Sequence, residues 1–201
     1  MISRILLADL CYEKNSLSQY EFVHPIRVAM EKSGFPCKIC HYMEIEEGVL
    51  ESSDRVILCG TALKDNAYLE QMEAFSWLRD LKKPILGICA GMQVISAFFG
   101  GSIVQHHAIG LNRIEITGSS PLLGEPREIE GYHLHNYAAT LPEGFLGLAG
   151  KPGLPEAFRH ITLPIYGIMF HPEVRNRWIL ERFANLQTTG PEIPFLRNQF
   201  M

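Results

Sequence analysis

Long apolar runs are missing from this chain. None approaches the roughly 20 residues needed to cross a bilayer, so no membrane span is expected. Runs of Lys and Arg are also missing, and the formal net charge is -4, which removes the usual electrostatic footprint of a nucleic-acid binder. Cysteine is sparse and odd in number, five in all, with no spacing that suggests a disulfide framework. Cys37 and Cys40 form a C-x-x-C, but it follows Gly34-Phe35-Pro36 in strand-like sequence, whereas a redox pair normally opens a helix. No second pair of thiols or histidines completes a zinc site, so neither metal nor cofactor is expected. A phosphate loop of the G-x-x-x-x-G-K-S/T kind is absent, as are internal repeats and low-complexity tracts. The start, Met1-Ile2-Ser3-Arg4-Ile5-Leu6-Leu7-Ala8-Asp9, is too short in its apolar part for a secretory leader and reads as a core strand. These absences point to a protein of the reducing cytoplasm.

What remains is an ordinary globular composition, 47% hydrophobic and 20% charged over 201 residues, enough for one domain. The first half alternates apolar strand runs (2–9, 37–42, 55–59 and 84–89) with helical patterns (20–32, about 66–81 and 90–99), the signature of parallel βαβ units. Asp65 or Asn66 is placed to cap the second of these helices, and Gly100-Gly101 ends the third. From Ser102 the pattern changes to closely spaced short strands broken by Gly, Pro and Asn, at 111–117, 128–135, 145–149 and 165–170. A last helix is predicted over about 174–186. An α/β sheet with extra antiparallel strands accounts for this order.

The chemistry concentrates in Pro84-Ile85-Leu86-Gly87-Ile88-Cys89-Ala90-Gly91-Met92-Gln93, where a buried strand meets a helix at a G-x-C-x-G. This is the thiol form of a nucleophile elbow. A side chain at so sharp a turn needs small neighbours, which Gly87 and Gly91 supply. The turn leaves the sulfur at the carboxyl end of the strands, where open α/β sheets bind ligands. The helix start favours a thiolate there, and the Ala90 N–H is placed to donate to a tetrahedral oxyanion. A lone cysteine is more often a small buried hydrophobe, but that reading leaves both glycines unexplained. A nucleophilic thiol needs a base, and Phe170-His171-Pro172-Glu173 puts a histidine just after a predicted strand with a carboxylate two residues on to orient it.

Gly-Ile-Cys-Ala-Gly-Met-Gln followed by Phe-His-Pro-Glu resembles the class I glutamine amidotransferases, particularly the branch like the glutaminase part of GMP synthase. The resemblance spans about residues 5–183. It implies a single-domain, open, mostly parallel sheet with helices on both faces, flavodoxin-like, carrying extra antiparallel strands, over residues 1–187. Residues 188–201 form a Pro- and aromatic-rich tail, with Phe195, Phe200 and Arg197 as candidate anchors for a partner. It implies Cys89 as nucleophile on the glutamine amide, His171 as proton shuttle and Glu173 as its orienter, with no cofactor. Gln93 and Gly110 are implied at the substrate, and Gly60, in Ile57-Leu58-Cys59-Gly60-Thr61, as the second oxyanion donor. The ammonia acceptor is expected on a separate synthase polypeptide.

Three departures stand out. Cys59-Gly60-Thr61-Ala62 replaces the usual Ser-Gly-Gly-Pro of the oxyanion loop. Asn136 stands at the Asp of a Ser-His-x-Asp pattern, and the adjacent His133 and His135 are candidates to touch substrate or partner, although strand histidines beside a turn are commonly just exposed. Gln105-His106-His107-Ala108-Ile109-Gly110 stands where relatives carry a basic residue and Glu-Tyr-Gly. His106 and His107 make a poor metal pair, since neighbours on a strand point to opposite faces. Rival readings are a γ-glutamyl peptide hydrolase on the same fold, which tends to replace the elbow Gln that Gln93 preserves, and a regulatory subunit that has lost catalysis, which the intact Cys89, His171 and Glu173 disfavour.

Overall fold

The computed structural model describes residues 3–187, so the tail read above at 188–201 lies outside the described residues. In chain order the elements are β1 (Ile5–Asp9), α1 (Leu17–Phe22), α2 (His24–Lys32), β2 (Cys37–His41), α3 (Glu47–Glu51), β3 (Arg55–Leu58), α4 (Ala67–Glu70), β4 (Ile85–Ile88) and α5 (Ala90–Phe98). They continue as β5 (Ile103–Ile116), β6 (Arg127–Ala139), β7 (Phe145–Lys151), β8 (Leu154–His160), β9 (Ile165–Ile168) and α6 (Trp178–Ala184). The nine strands form one mixed sheet in the order β2-β1-β3-β4-β9-β8-β7-β5-β6. The five strands from β2 to β9 are parallel, and the rest join antiparallel. The α/β class with added antiparallel strands, expected above, is the fold the chain adopts.

β1, β3, β4 and β9 are buried at every residue, as an unbroken apolar run requires when helices cover a parallel sheet. The helices pack in two groups, α2 with α6 and α5 with the 3-10 stretch Met72–Arg79. Three predicted helices are shorter or broken, each for a local reason. The 20–32 pattern divides at Val23 because Pro25, with no N–H to give, starts a new helix. The 66–81 pattern gives only α4 before Gln71 leaves helical geometry, and Met72–Arg79 then winds as a 3-10 helix. Its apolar residues Met72, Phe75 and Leu78 recur every third position, so three residues per turn keep them on one edge against the core. At the C-terminal end, Asn176 sits at φ 75, and α6 begins only beyond it.

β8 was not legible as a strand, because Lys151-Pro152-Gly153-Leu154-Pro155 reads as loop. In the fold Pro152-Gly153 is a two-residue hairpin turn, with Lys151 opposite Leu154 and Gly153 at φ 86. β5 and β6 run well past their predicted ends as a long ribbon whose tip pairs with β7 at Ile116 and Ala149, with Thr117 and Gly118 N–H donating to Leu148 O just beyond. A register shift between Gln105 and Ala108 puts a β-bulge in β5 at His106-His107. That ribbon folds back toward the carboxyl ends of the parallel strands, and His171 N–H donates to Tyr132 O on β6 at 2.8 Å.

Candidate active site

Cys89 stands between β4 and α5 at φ 51, ψ -104, a conformation that costs a non-glycine residue about 1–3 kcal/mol. The surroundings hold it there. Its N–H donates to Ile168 O of β9 at 2.8 Å, and its carbonyl accepts from Gln93 N at 3.1 Å. The flanking glycines supply space. A Cβ on Gly87 would lie 2.5 Å from the Gly91 carbonyl, and one on Gly91 would lie 2.2 Å from Leu58 O. α5 can therefore press directly against β3 and β4, and that close approach aims its N-terminus at the sulfur. Ala90, as the first residue of α5, has an N–H with no preceding turn to receive it.

His171 follows the end of β9, the strand beside β4, and is 1% exposed. Its Nδ1 lies 2.7 Å from Glu173 Oε1, and Glu173 is 3% exposed. Burial alone would lower the proton affinity of the imidazole, but the Glu173 charge and then Cys89 outweigh it, holding His171 well above its ordinary value. Among the described residues, His171 Nε2 has no hydrogen-bond partner of normal geometry. Gly60, just past β3, completes the group: a Cβ there would meet His171 Cε1 at 2.8 Å and Cys89 Cβ at 3.7 Å. The ends of three adjacent strands thus bring Gly60, Cys89 and His171 into contact.

A small, solvent-open cleft leads to Cys89 and is lined by Thr61, Asp65, Tyr68, Gln93, His135 and Asn136 among others. Gln93 is 3% exposed and engaged at both ends: its Oε1 accepts from Tyr68 Oη at 2.7 Å, and its Nε2 donates to Tyr137 O at 2.9 Å. Gln93 thereby ties α5 to β6 as part of the cleft wall. Gly110 is placed elsewhere, at φ 100 on β5 opposite His133 and outside the cleft lining. The Thr61 departure has a structural use, because Thr61 Oγ1 donates to Asp65 Oδ2 at 2.7 Å and Tyr12 N donates to the same oxygen at 2.6 Å. These bonds pin the loop after Gly60. Asn136 clasps it from the other side, with Nδ2 donating to Leu63 O at 3.0 Å and Oδ1 2.9 Å from His107 Nδ1.

His133 and His135 are not exposed, contrary to the common fate of strand histidines; they are 1% and 3% exposed. His133 Nε2 lies 2.7 Å from Glu156 Oε2 on β8, and its Nδ1 lies 3.3 Å from Asn112 Nδ2. His135 Nδ1 lies 3.0 Å from His106 O in the bulge of β5. Sequence reasoning missed Tyr68, read only as part of a helix face, and Glu156, which belongs to the strand hidden by prolines. No cluster of three or more His, Cys, Asp or Glu suited to a metal occurs among the described residues, and no helix there is long and apolar enough to cross a membrane.

The family pattern "Glutamine amidotransferase class-I" matches residues 17–180, most of the chain. This chain belongs to the class I glutamine amidotransferases. A glutamine-hydrolyzing GMP synthase subunit of Methanosarcina acetivorans is 36% identical over 160 residues, which cover 77% of this chain and 82% of that protein. The corresponding GMP synthase subunit of Thermoplasma acidophilum is 32% identical over 160 residues, 75% of this chain and 80% of that protein. Among solved structures, a Thermoplasma acidophilum protein described as a candidate GMP synthase subunit superposes with a TM-score of 0.80 at 28% identity, covering 92% of this chain and 94% of that one. A Thermotoga maritima glutamine amidotransferase superposes with a TM-score of 0.68 at 19% identity, covering 92% of this chain and 84% of that one, a likeness of fold. Within this amidotransferase family the elbow thiol and the imidazole beside it have a ready use, since amide hydrolysis needs a nucleophile, a proton carrier and a site for oxyanion charge.

Proposed function

We propose that this chain hydrolyses the side-chain amide of L-glutamine through a Cys89 thioester and passes the ammonia to a separate synthase subunit of the GMP synthase type. The observation that carries this reading is the contact of Cys89, His171 and Gly60 at the ends of β4, β9 and β3, with Glu173 on the far ring nitrogen. Cys89 Sγ attacks the amide carbon, and negative charge moves to the carbonyl oxygen. The N–H of Ala90 and the backbone at Gly60 serve as the donors to that oxygen. His171, held in its protonated form by Glu173, gives a proton from Nε2 to the departing nitrogen, which leaves as ammonia. Water then attacks the thioester while His171 takes its proton, and glutamate leaves with the thiolate restored. Gln93 serves the substrate indirectly by fixing the cleft wall. The five thiols, all free, suit a reducing cytoplasm.

Replacing Cys89 by Ser keeps the volume but removes the stabilised thiolate, so glutamine hydrolysis should fall at least about a thousandfold with an unchanged melting curve. A glutamine-like electrophile such as diazo-oxo-norleucine should label Cys89. Retention of activity within tenfold, or label on Cys11 or Cys59 instead, would refute the assignment.

A further inference from the structure

Among the described residues two imidazole nitrogens are both buried and without a hydrogen-bond partner: Nε2 of His171 and Nε2 of His135. The first belongs to the reaction derived above. The second is on β6, one residue beyond Leu134, whose carbonyl lies 3.8 Å from Cys89 Sγ, and His135 lines the same cleft as the sulfur. His133, two residues away, has both ring nitrogens engaged and needs nothing more. His135 therefore differs from its neighbour in lining the cleft with one ring nitrogen unpartnered.

The chemistry of that position follows from the other side of the ring. His106 O can only accept, so His135 Nδ1 carries the proton in the 3.0 Å bond between them. The β-bulge at His106-His107 is what turns this carbonyl toward β6. With Nδ1 protonated, a neutral His135 presents a lone pair at Nε2. Burial, reinforced by His133 at a ring-centroid distance of 5.5 Å, lowers the ring to about pKa 4, so it is neutral at physiological pH. A buried lone pair without a donor costs about 1–3 kcal/mol, a cost that a ligand donor would remove. His135 lines the cleft, so a molecule seated there is the source of that donor.

The cleft lining contains one carboxylate, Asp65, and neither Lys nor Arg. The only formal charge on the lining is therefore negative, which favours a cation over an anion away from the oxyanion position. Of the groups in glutamine, the carboxylate only accepts, and the reacting amide must lie between Cys89 and His171, which is not part of the cleft wall. The α-ammonium is the remaining donor. Resting on the glutaminase reading, we propose that His135 is a substrate-recognition residue whose Nε2 accepts a hydrogen bond from the α-ammonium group of glutamine.

The test is calorimetric binding to the full chain carrying Cys89→Ala, which blocks turnover. The ligands are L-glutamine and glutaramate, the same molecule without its α-amino group. His135→Met should weaken glutamine binding about tenfold, the size of one hydrogen bond to a charged group. His135→Asn keeps a donor for His106 O but cannot reach the Nε2 position, and it should lose as much. His135→Gln, which places an amide near that position, should stay within about threefold of the parent. Glutaramate binding should change less than about twofold in all three. Equal losses for glutamine and glutaramate, or unchanged glutamine affinity in the Met and Asn variants, would overturn the assignment; the Asn variant decides if the Met variant does not melt cooperatively. Hydrolysis by the unaltered chain tests the glutaminase reading separately: glutamine turned over and bound alike by parent and variants would sink only the role of His135.

Discussion

Gly60→Ala tests whether the three strand ends work as one unit. The added Cβ would stand 2.8 Å from His171 Cε1 and 3.7 Å from Cys89 Cβ. Carbon atoms in contact prefer about 3.5–4.0 Å, so the ring must give way by roughly 0.7 Å or the loop must lift. Neither is free to do so. His171 is held by Glu173 at 2.7 Å and by its own N–H on Tyr132 O at 2.8 Å, while the loop is pinned through Thr61 and Asn136. A misplacement near 1 Å at reacting groups costs on the order of 100-fold in rate, so kcat/KM should fall about 30- to 100-fold. Stability should drop far less in proportion, by about 1–3 kcal/mol, the usual cost of one extra methyl in a packed site. Ammonia release coupled to glutamate dehydrogenase reads the first quantity and thermal melting the second. Gly48→Ala on α3 is the control, since nothing lies within 4 Å of its added Cβ; it should leave kcat/KM unchanged. A folded Gly60→Ala chain with kcat/KM within threefold of wild type would refute the contact between loop and imidazole as a catalytic constraint.

Two further outcomes follow from the same geometry. Glu173 supplies the largest upward influence on His171, so the imidazolium that protonates the leaving nitrogen should persist above neutral pH and be lost as pH rises through the raised pKa. Glu173→Gln should move the alkaline limb of the kcat/KM profile to lower pH and lower the plateau less than His171→Ala does; an alkaline limb that stays in place would remove Glu173 as the stabiliser. The stability that the ion pair contributes follows the same sign, full below the ordinary histidine pKa and lost on the alkaline side. Gly91→Ala would put a carbon 2.2 Å from Leu58 O, a backbone atom that cannot swing aside, so it should cost more than about 3 kcal/mol or prevent folding, as read by urea denaturation. A cooperative transition within about 1 kcal/mol of wild type would show that α5 can ride away from β3.

Much of the architecture was legible because it is local. Buried parallel strands need unbroken apolar runs, and Ile5–Asp9, Arg55–Leu58 and Ile85–Ile88 carry them. The helices were less legible where a single residue decided the outcome, as Pro25 and Asn176 did, or where a three-residue apolar spacing imitated a longer amphipathic helix, as in Met72–Arg79. β8 was hidden because Pro155 and the Pro152-Gly153 turn have the composition of a loop, and only pairing with β7 and β9 makes them a strand.

The sequence by itself determined the elbow, because a thiol between Gly87 and Gly91 at a strand–helix junction has a narrow physical meaning. It also determined the His171–Glu173 pair, because two residues on the same short segment meet whatever else the fold does. Tertiary structure alone decided which strand ends are neighbours, and hence that Gly60 touches His171, that Gln93 is committed to Tyr68 and Tyr137, and that Gly110 stands away from the cleft. It alone buried His133 against Glu156 and turned His106 O onto His135. Such contacts join residues 23 or more positions apart through a bulge and a strand order, and no periodicity along the chain encodes the partner that a side chain finds across a sheet.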